Sequence, residues 1–336
     1  MKMLFFDYRE SERGFFEKNE LCDFEIEFFD EPLNENTYLT EAQLRDTDAV
    51  SVFITSNLTE KVLSKFKNLR VVATRSTGYN HIDIKYCKNK HIAVYNVEGY
   101  GHSSVAQYTI MLMIALVRNL KPAYLDIKKV SPNYKGYEGR NMEELSLGII
   151  GCGAIGSAVA KLAKSFGMEV YVTSPDRNSE IEKFAQYLPF DELLSLSDII
   201  SLHLPYSSEL YHMLGREEFF KMKDGVYIIN TARGELLDGT ALYEGILSGK
   251  IKGAALDVFE CEELAVKPDV ITSGIDYYDK KCVASALIAK KLIECDNVII
   301  TPHIAYNTLE SVNKILEITF NNIKDYCKGM RTNQIY

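Results

Sequence analysis

The sequence contains no run rich in lysine and arginine, and its overall charge is negative. Its 336 residues carry 38 basic and 47 acidic side chains, which gives a formal net charge of −9. Such a chain repels polyanions, so we expect neither nucleic acid nor an anionic membrane surface as a partner.

Long apolar runs are also missing. The longest, Ile110–Val117, is far too short to cross a bilayer. The first residues reach a charge at Lys2 and again at Asp7, too early for the apolar core of a signal peptide. With 46% hydrophobic and 25% charged residues, the composition is typical of a soluble globular protein. We therefore expect a cytoplasmic protein whose length accommodates two domains.

Closely spaced cysteine pairs are absent. The seven cysteines are scattered, at positions 22, 87, 152, 261, 282, 295 and 327, and none forms a Cys-x-x-Cys pair. This spacing indicates neither a structural zinc site nor a redox dithiol, so no metal is expected. We expect reduced and mostly buried thiols.

What the sequence does contain is a regular alternation of short β-branched runs and amphipathic stretches, which is typical of parallel α/β domains. In the first hundred residues, the predicted strands are Lys2–Phe6, Phe24–Phe29, Ala49–Thr55, Arg70–Thr74 and Ile92–Val94. A helix is predicted over Ser103–Leu120, with a serine N-cap and Pro122 after its end.

A second series of strands follows a polar loop. These strands are Ser146–Ile150, Val170–Thr173, Ile199–Leu202, Val226–Asn230, Gly253–Val258 and Val298–Thr301. Six strands are the number expected for a dinucleotide-binding sheet. The residues from Asn307 onward are predicted to be helical, and they come after that sheet is complete.

The first strand of the second series runs into a glycine motif of the form G-x-G-x-x-G. Gly151 permits a tight turn, Gly153 leaves room for a pyrophosphate, and Gly156 lets the following helix pack closely on the strand. The N-terminus of that helix offers free N–H groups to the phosphates. The motif, with a strand on either side of its helix, therefore predicts a dinucleotide site.

Three polar clusters stand at the ends of later strands. Arg233 follows one strand, Asp257 lies at the end of the next with Glu262 beyond it, and His303 follows the last. The carboxyl ends of parallel strands meet at one edge of a sheet, so these side chains are expected to converge on the nicotinamide. The alternative to a catalytic role for Arg233 is an ordinary surface ion pair. The alternative for Glu262 is a place in a solvent-exposed run of glutamates.

These residue types suit a reaction that moves a hydride and a proton. A histidine exchanges a proton near neutral pH, and a carboxylate bonded to it fixes its tautomer and favours its protonated form. An arginine fork grips a carboxylate at two points and polarises a neighbouring carbonyl. The sequence therefore predicts an oxidoreductase that acts on a small 2-oxo acid.

Together these segments resemble the D-isomer-specific 2-hydroxyacid dehydrogenase family, and within it the D-lactate dehydrogenase branch. The resemblance extends to Thr74–Asp83 and Asn96–Ala106 in the first domain. It implies an α/β fold of two domains. Residues 102–304 would form a dinucleotide-binding Rossmann domain, and residues 1–101 with 305–336 a smaller, discontinuous, flavodoxin-like substrate domain. It also implies a homodimer formed through the cofactor domain.

The resemblance also implies roles for individual residues. Arg233 would bind the substrate carboxylate, His303 would donate the proton, and Glu262 would be the partner of His303. The substrate would further meet Thr77, Gly78, Tyr100 and Tyr306. The cofactor would be held by Gly151, Gly153, Ala154, Ile155, Gly156, Leu204, Pro205, Thr231, Ala232 and Asp257.

Two departures from the family pattern stand out. The segment 263–298 is longer than the family's usual loop. The second strand of the Rossmann domain closes on Ser174, where NAD-specific members carry an aspartate, and Arg177 follows three positions later. A neutral residue and an arginine there would accept a 2′-phosphate, so NAD or NADP is expected as cofactor. In the alternative, Asp176 restores the contact typical of NAD-specific sites.

The same motifs also fit other functions. A relative acting on 3-phosphoglycerate, hydroxypyruvate or an aromatic 2-oxo acid would share the same motifs. A dinucleotide-sensing binding protein could also retain Arg233, Glu262 and His303. We favour pyruvate and D-lactate as the substrate pair, and turnover of pyruvate with reduced cofactor would separate these alternatives.

Overall fold

The structure, a computed structural model, describes residues 1–19, 24–129, 135–262, 264 and 280–335. The chain forms two compact units. Unit 1 comprises residues 1–100 and 307–336, and unit 2 comprises residues 101–306. The division thus falls at 100/101 and 306/307, whereas the family resemblance implies domain boundaries at 101/102 and 304/305.

The strands of the described residues belong to two sheets. They are β1 (Lys2–Phe5), β2 (Glu25–Phe28), β3 (Ala49–Val52), β4 (Val71–Thr74), β5 (Ala93–Tyr95), β6 (Ser146–Ile150), β7 (Glu169–Thr173), β8 (Gln186–Tyr187), β9 (Ile199–Leu202), β10 (Val226–Asn230), β11 (Ile251–Leu256) and β12 (Val298–Ile300).

Helices separate most of these strands. They are α1 (Arg13–Lys18), α2 (Glu41–Asp46), α3 (Glu60–Leu63), α4 (Ile84–Asn89), α5 (His102–Val117), α6 (Leu120–Asp126), α7 (Ala154–Ser165), α8 (Phe190–Leu196), α9 (Arg216–Lys221), α10 (Gly239–Ser248), α11 (Lys280–Glu294) and α12 (Leu309–Cys327). Short 3-10 helices cover Glu10–Glu12, Met142–Glu144, Ser208–Leu210 and Gly234–Leu236.

The sheet of unit 1 is parallel and has the strand order β2-β1-β3-β4-β5. This is the flavodoxin-like, doubly wound order that the family resemblance implies. Both faces are covered, because Leu4, Val50 and Val72 point into one apolar cluster and Met3 and Phe5 into the other. Burial on both faces explains why β3, β4 and β5 are largely apolar runs in the sequence, whereas the edge strand β2 alternates glutamates with Ile26 and Phe28.

The last helix, α12, belongs to unit 1. Its Leu316, Phe320 and Ile323 pack in the same cluster as Met3 and Phe5 of β1. As expected from the resemblance, this makes unit 1 discontinuous in sequence, with its first and last segments sharing one core.

The sheet of unit 2 is also parallel, with the order β12-β11-β10-β9-β6-β7-β8. The first strand of the unit lies inside the sheet, and the order reverses beside it, as in a Rossmann fold. Within this sheet β8 was not predicted, because a two-residue strand at the sheet edge shows no apolar periodicity. The other strands of this sheet differ from their predicted bounds by at most two residues at either end. In unit 1, β3 ends at Val52, three residues before the predicted end at Thr55.

The helix predicted over Ser103–Leu120 is present, but the prediction is wrong about both of its ends. It begins one residue earlier, after Gly101, and it ends at Val117. Asn119 then takes a left-handed conformation with φ 52° and starts the separate helix α6. Pro122 lies in the first turn of α6, where a helix does not need the backbone N–H that proline lacks.

The prediction of reduced cysteines is wrong for one pair. Cys261 and Cys282 form a disulfide, with Cα atoms 5.5 Å apart. They are separated by 21 positions, and the fold brings the loop after β11 beside the first turn of α11. Cys87, Cys152, Cys295 and Cys327 are free. Cys22 lies outside the described residues.

Among the described residues, no helix is both long and apolar enough to cross a bilayer. The same residues contain no group of three or more His, Cys, Asp or Glu side chains arranged to hold a metal ion.

Candidate active site

The glycine motif forms an open turn between β6 and α7. Gly151 has φ 93°, a conformation that favours glycine, and a Cβ there would lie 2.7 Å from the carbonyl oxygen of His203. A Cβ at Gly156 would overlap the carbonyl oxygen of Gly151. By contrast, a Cβ at Gly153 would meet no described atom within 4 Å, so this face of the turn is open. The turn and the N-terminus of α7 therefore fit a pyrophosphate.

The end of β7 lies beside this turn, because the Gly151 N–H donates to the carbonyl oxygen of Thr173 (2.9 Å). Ser174 follows directly and is half-buried, whereas Arg177 is exposed. The Arg177 guanidinium carbon lies 5.4 Å from the centre of the Tyr187 ring, a cation–π contact. The structure thus holds a serine and an arginine at the strand end where a ribose is recognised in Rossmann sites.

The segment after β9 closes another side of the glycine turn. A Cβ at Gly151 would lie 2.7 Å from Leu204 Cδ2, so Leu204 lines the turn, and Pro205 follows it. His203 is structural, since Nε2 lies 2.8 Å from the Ser201 hydroxyl and burial lowers the pKa of His203 to about 3. A neutral imidazole packed behind the turn adds no charge to the cofactor site.

Arg233 stands at the end of β10, in a turn fixed by Asn230. The buried Asn230 amide donates to the carbonyl oxygen of Arg233 (2.8 Å) and accepts from the N–H of Ala232 (3.0 Å). Thr231 is held by a hydrogen bond to the Thr109 hydroxyl (2.9 Å). Among the described residues of unit 2, no carboxylate lies within 4.0 Å of the Arg233 guanidinium, so an internal ion pair does not account for this arginine.

Gly234 allows two loops to meet. A Cβ at this position would overlap the backbone carbonyl carbon of Phe259, so the loop after β10 touches the loop after β11 through bare backbone. Glycine is therefore required next to Arg233, and the two loops hold each other in register.

The structure brings His303 and Glu262 together. His303 Nδ1 lies 3.0 Å from Glu262 Oε2, and the two side chains are 29% and 30% exposed. The other carboxylate oxygen of Glu262 accepts from the N–H of Phe259 (3.3 Å). The pair is thus close enough to hydrogen bond and open enough to reach a ligand.

Glu260, two residues earlier, has different partners. Its carboxylate lies 3.0 Å from His212 Nε2 and accepts from the Ser285 hydroxyl (2.7 Å). It ties its loop to α11 and does not compete for His303. Glu263, the other neighbour, lies outside the described residues.

Asp257 fixes the loop that carries His303. Its carboxylate accepts from the Thr301 hydroxyl (2.6 Å) and from the N–H groups of Ile304 (2.9 Å) and Ala305 (2.8 Å). Burial raises the pKa of Asp257, and these three donors act in the opposite direction. The nicotinamide contact predicted for Asp257 remains a prediction, whereas its bonds to this loop are observed.

His303 has φ 54°, a left-handed conformation that is uncommon outside glycine. Its N–H donates to the carbonyl oxygens of Asp257 (2.9 Å) and Thr301 (3.0 Å), which holds the backbone in place. The Tyr306 ring lies edge-on to the imidazole, with the ring centres 6.4 Å apart. Tyr306 therefore forms part of the surroundings of His303.

The remaining predicted substrate residues belong to unit 1. Thr77 and Gly78 form a turn after β4, where the Ser76 hydroxyl donates to the carbonyl oxygen of Gly78 (2.6 Å) and the Asn96 amide to that of Thr77 (3.0 Å). Tyr100 closes the segment after β5, and its carbonyl oxygen accepts from the Ser311 hydroxyl (3.3 Å). These bonds order the turn and leave the roles of Thr77, Gly78 and Tyr100 as predictions.

Within unit 2, strand order explains why the polar clusters meet. Because β10, β11 and β12 are adjacent and parallel, the loops carrying Arg233, Glu262 and His303 leave the same edge of the sheet side by side. An arginine fork and a carboxylate-bound histidine together can bind a carboxylate and move a proton. Sequence reasoning did not identify Asn230 as the residue that positions the Arg233 turn. The signal for it is an amide side chain at the last position of a fully buried strand.

Comparisons with known proteins identify the family of this chain. The sequence model of the D-isomer specific 2-hydroxyacid dehydrogenase NAD binding domain matches residues 110–305. The chain is 35% identical over 328 residues to a 2-hydroxyacid dehydrogenase homolog of Haemophilus influenzae, covering 96% of this chain and 95% of that protein. It is also 35% identical to an aromatic 2-oxoacid reductase of Clostridium sporogenes, covering 85% of each chain.

A solved structure is similar over nearly the whole length. It is the D-lactate dehydrogenase of Aquifex aeolicus complexed with NAD and lactic acid, with a TM-score of 0.84 and 37% identity. The match covers 99% of this chain and 98% of that one. The chain therefore belongs to the D-isomer-specific 2-hydroxyacid dehydrogenase family, whose NAD-linked enzymes transfer a hydride between 2-oxo acids and D-2-hydroxy acids.

Proposed function

We propose that this protein reduces pyruvate to D-lactate, with Arg233, Glu262 and His303 as one catalytic unit. The observation that carries the proposal is the hydrogen bond between His303 and Glu262, 3.0 Å long, which joins the loops after β12 and β11. The Glu262 loop in turn follows the strand adjacent to β10, which carries Arg233. The similarity to the Aquifex aeolicus enzyme complexed with lactic acid supports lactate as the hydroxy acid.

Each member of the unit has a separate task. Because Glu262 binds Nδ1 of His303, Nε2 is the nitrogen left to donate a proton to the carbonyl oxygen of the substrate. The Arg233 guanidinium binds the substrate carboxylate through paired hydrogen bonds and polarises the adjacent carbonyl. When bound, the reduced nicotinamide supplies the hydride.

The same proposal assigns the cofactor contacts. The open turn Gly151–Gly156, with the backbone of Ala154 and Ile155, would hold the pyrophosphate at the start of α7. Leu204, Pro205, Thr231, Ala232 and Asp257 would line the rest of the dinucleotide.

The first test is a panel of 2-oxo acids with reduced cofactor, scored by kcat/KM. We expect kcat/KM for pyruvate to exceed that for phenylpyruvate, because the Tyr306 ring lies beside His303, with ring centres 6.4 Å apart, and would limit the room for a larger side chain on the substrate. Tyr306→Leu should lower the ratio of kcat/KM for pyruvate to kcat/KM for phenylpyruvate. The control Tyr306→Phe, which keeps the ring, should retain that ratio.

The outcomes separate the alternatives. Because one methylene group is worth only about 1–3 kcal/mol in discrimination, phenylpyruvate exceeding pyruvate at least roughly tenfold would refute the pyruvate assignment. That result would favour an aromatic 2-oxo acid reductase, the activity named for the Clostridium sporogenes relative. Dinucleotide binding without turnover of any 2-oxo acid would instead indicate a sensor protein.

We further propose that NADPH is accepted in addition to NADH. Ser174 offers a hydroxyl where an aspartate would repel a 2′-phosphate. The Arg177 guanidinium, held over the Tyr187 ring, supplies a positive charge three residues later. Asp176 lies between them and is exposed. In the alternative, its carboxylate restores the contact typical of NAD-specific sites and favours NADH.

This proposal predicts a kcat/KM for NADPH within a hundredfold of that for NADH, measured with the same 2-oxo acid. Ser174→Asp should move the ratio towards NADH, and Arg177→Ala should weaken NADPH while leaving NADH nearly unchanged. Lys183→Ala is the matched control. It removes a nearby exposed positive charge that pairs with Glu180 (2.6 Å), and it should not change the ratio. A preference for NADH above a hundredfold would contradict the proposal.

Unit 2 also has a surface that suits the homodimer implied by the resemblance. Apolar side chains on α5, on α6 and just beyond are exposed, namely Met111, Leu120, Tyr124, Leu125 and Ile127. Four of the five lie within residues 120–127, and clustered exposed apolar side chains are typical of protein–protein contacts. Light scattering should therefore report a dimer for the wild type, and Tyr124→Lys should shift it towards the monomer.

A further inference from the structure

The loop that carries Glu262 is attached to α11 at three points. Cys261 is bonded to Cys282 in the first turn of that helix. Glu260 accepts a hydrogen bond from Ser285 on the next turn (2.7 Å). Leu264 is buried with Ala286 and Ala289. Of these attachments, only the first is covalent and chemically reversible.

The disulfide acts directly beside Glu262. Cys261 has φ 56°, a left-handed conformation that a residue with a Cβ adopts only when its surroundings hold it there. The Leu264 N–H donates to the carbonyl oxygen of Cys261 (3.0 Å) and closes the turn. The direction in which the Glu262 side chain leaves the backbone therefore depends on the conformation of Cys261.

We propose that Cys261 and Cys282 form a reversible modification site for dithiol reductants, and that this bond positions Glu262 on His303. The inference rests on the proposed function of these two residues. A thiolate of the dithiol attacks one sulfur, the Cys261–Cys282 bond breaks, and a mixed disulfide forms. The second thiol of the reagent then displaces the protein sulfur. The protein gains two electrons and two protons and the dithiol becomes a disulfide.

The disulfide is accessible to small thiols, and three of the free cysteines are poorly reactive. Cys261 and Cys282 are both half-buried, so a small thiol can reach them. Burial raises the pKa of Cys87 to about 12, and it also raises the pKa of Cys152 and of Cys295. These thiols therefore form little of the reactive thiolate near neutral pH. Cys327 is free and exposed, but it ends α12 in unit 1 and is not part of the loop that carries Glu262. A response of Glu262-dependent catalysis to redox conditions is therefore expected to arise from the Cys261–Cys282 pair.

In the reduced enzyme, Ser285 and the apolar cluster still hold the loop, so the fold remains but Glu262 loses part of its constraint. We expect kcat for pyruvate to fall about tenfold, because small misplacements of a catalytic group cost up to roughly a hundredfold. The KM for the dinucleotide should not change, since the disulfide lies outside the glycine turn.

The experiment measures kcat and both KM values in buffers of reduced and oxidised dithiothreitol, with the state of each cysteine mapped by alkylation and mass spectrometry. Cys282→Ser should have the low kcat of the reduced wild type and no redox response. Cys295→Ser, the matched control on a free thiol near the end of α11, should keep the full response.

Two results would contradict this inference while leaving the proposed function intact. One is pyruvate turnover that stays constant while mapping shows the Cys261–Cys282 bond opening and closing. The other is mapping that finds both thiols free under oxidising conditions. Absence of 2-oxo acid turnover in every redox state would overturn the proposed function, and with it this inference.

Discussion

Replacing His303 with glutamine is expected to lower kcat for 2-oxo acid reduction by about 100- to 10,000-fold, the usual contribution of a general acid. Glutamine cannot donate a proton to the developing alkoxide, although it is similar in size. Steady-state rates and a dinucleotide titration on the same variant measure this, and cofactor affinity should remain normal because the glycine turn is untouched.

Two further variants separate chemistry from backbone effects. His303 has φ 54°, and asparagine adopts that conformation readily, so His303→Asn should lose as much activity as His303→Gln. His91 has φ 56° and is exposed, so His91→Gln makes the same exchange at another left-handed position and should leave turnover unchanged. Near-normal turnover of both His303 variants would remove His303 from the mechanism.

Replacing Arg233 with glutamine is expected to lower kcat/KM by about 100- to 10,000-fold. A hydrogen bond to a charged group is worth about 1.5–3 kcal/mol, and the fork makes two of them, so about 3–6 kcal/mol is lost. Since each 1.4 kcal/mol is about a factor of ten, this range gives the stated loss. Both KM and kcat should suffer, because one group binds the carboxylate and polarises the carbonyl.

Arg216 provides the control for this substitution. It is an exposed arginine paired with Glu244 (2.6 Å), and exposed pairs contribute little, so Arg216→Gln should behave like the wild type. Arg233→Lys should recover part of the binding, because lysine keeps the charge and loses the fork. A rise in KM with unchanged kcat in Arg233→Gln would show that Arg233 binds substrate without polarising it.

Much of the fold could be predicted from the sequence because strands buried on both faces leave an unambiguous pattern. β6, β9 and β10 are fully buried, and their bounds were predicted to the residue. β8 could not be predicted in this way, because Gln186 and Tyr187 are partly exposed and form only two ladder pairs. The break after Val117 depends on the left-handed Asn119, which an apolar helical pattern does not reveal.

The parts of the candidate site that lie directly after strands could be predicted from the sequence. Arg233, Glu262 and His303 each follow a strand, and parallel topology brings such ends together. Contacts that depend on loop geometry were beyond sequence reasoning. The family resemblance implies Glu262 as the partner of His303, and the structure shows why the neighbouring Glu260 is not, since Glu260 contacts His212 and Ser285. The Cys261–Cys282 bond has no signature in the sequence.

The discontinuity of unit 1 has a consequence for how the chain folds as it leaves the ribosome. Strands β1 to β5 are made first, but Met3 and Phe5 face a cluster completed by Leu316, Phe320 and Ile323 of α12. The roughly 200 residues of unit 2 must be synthesised in between, which takes about 10–40 s at about 5–20 residues per second. During that time one apolar face of the first sheet lacks its native cover. Once residue 306 has been made, all strands of the unit 2 sheet are available, so unit 2 can fold before α12 is complete. The cofactor-binding half of the protein is therefore ready before the half that emerged first.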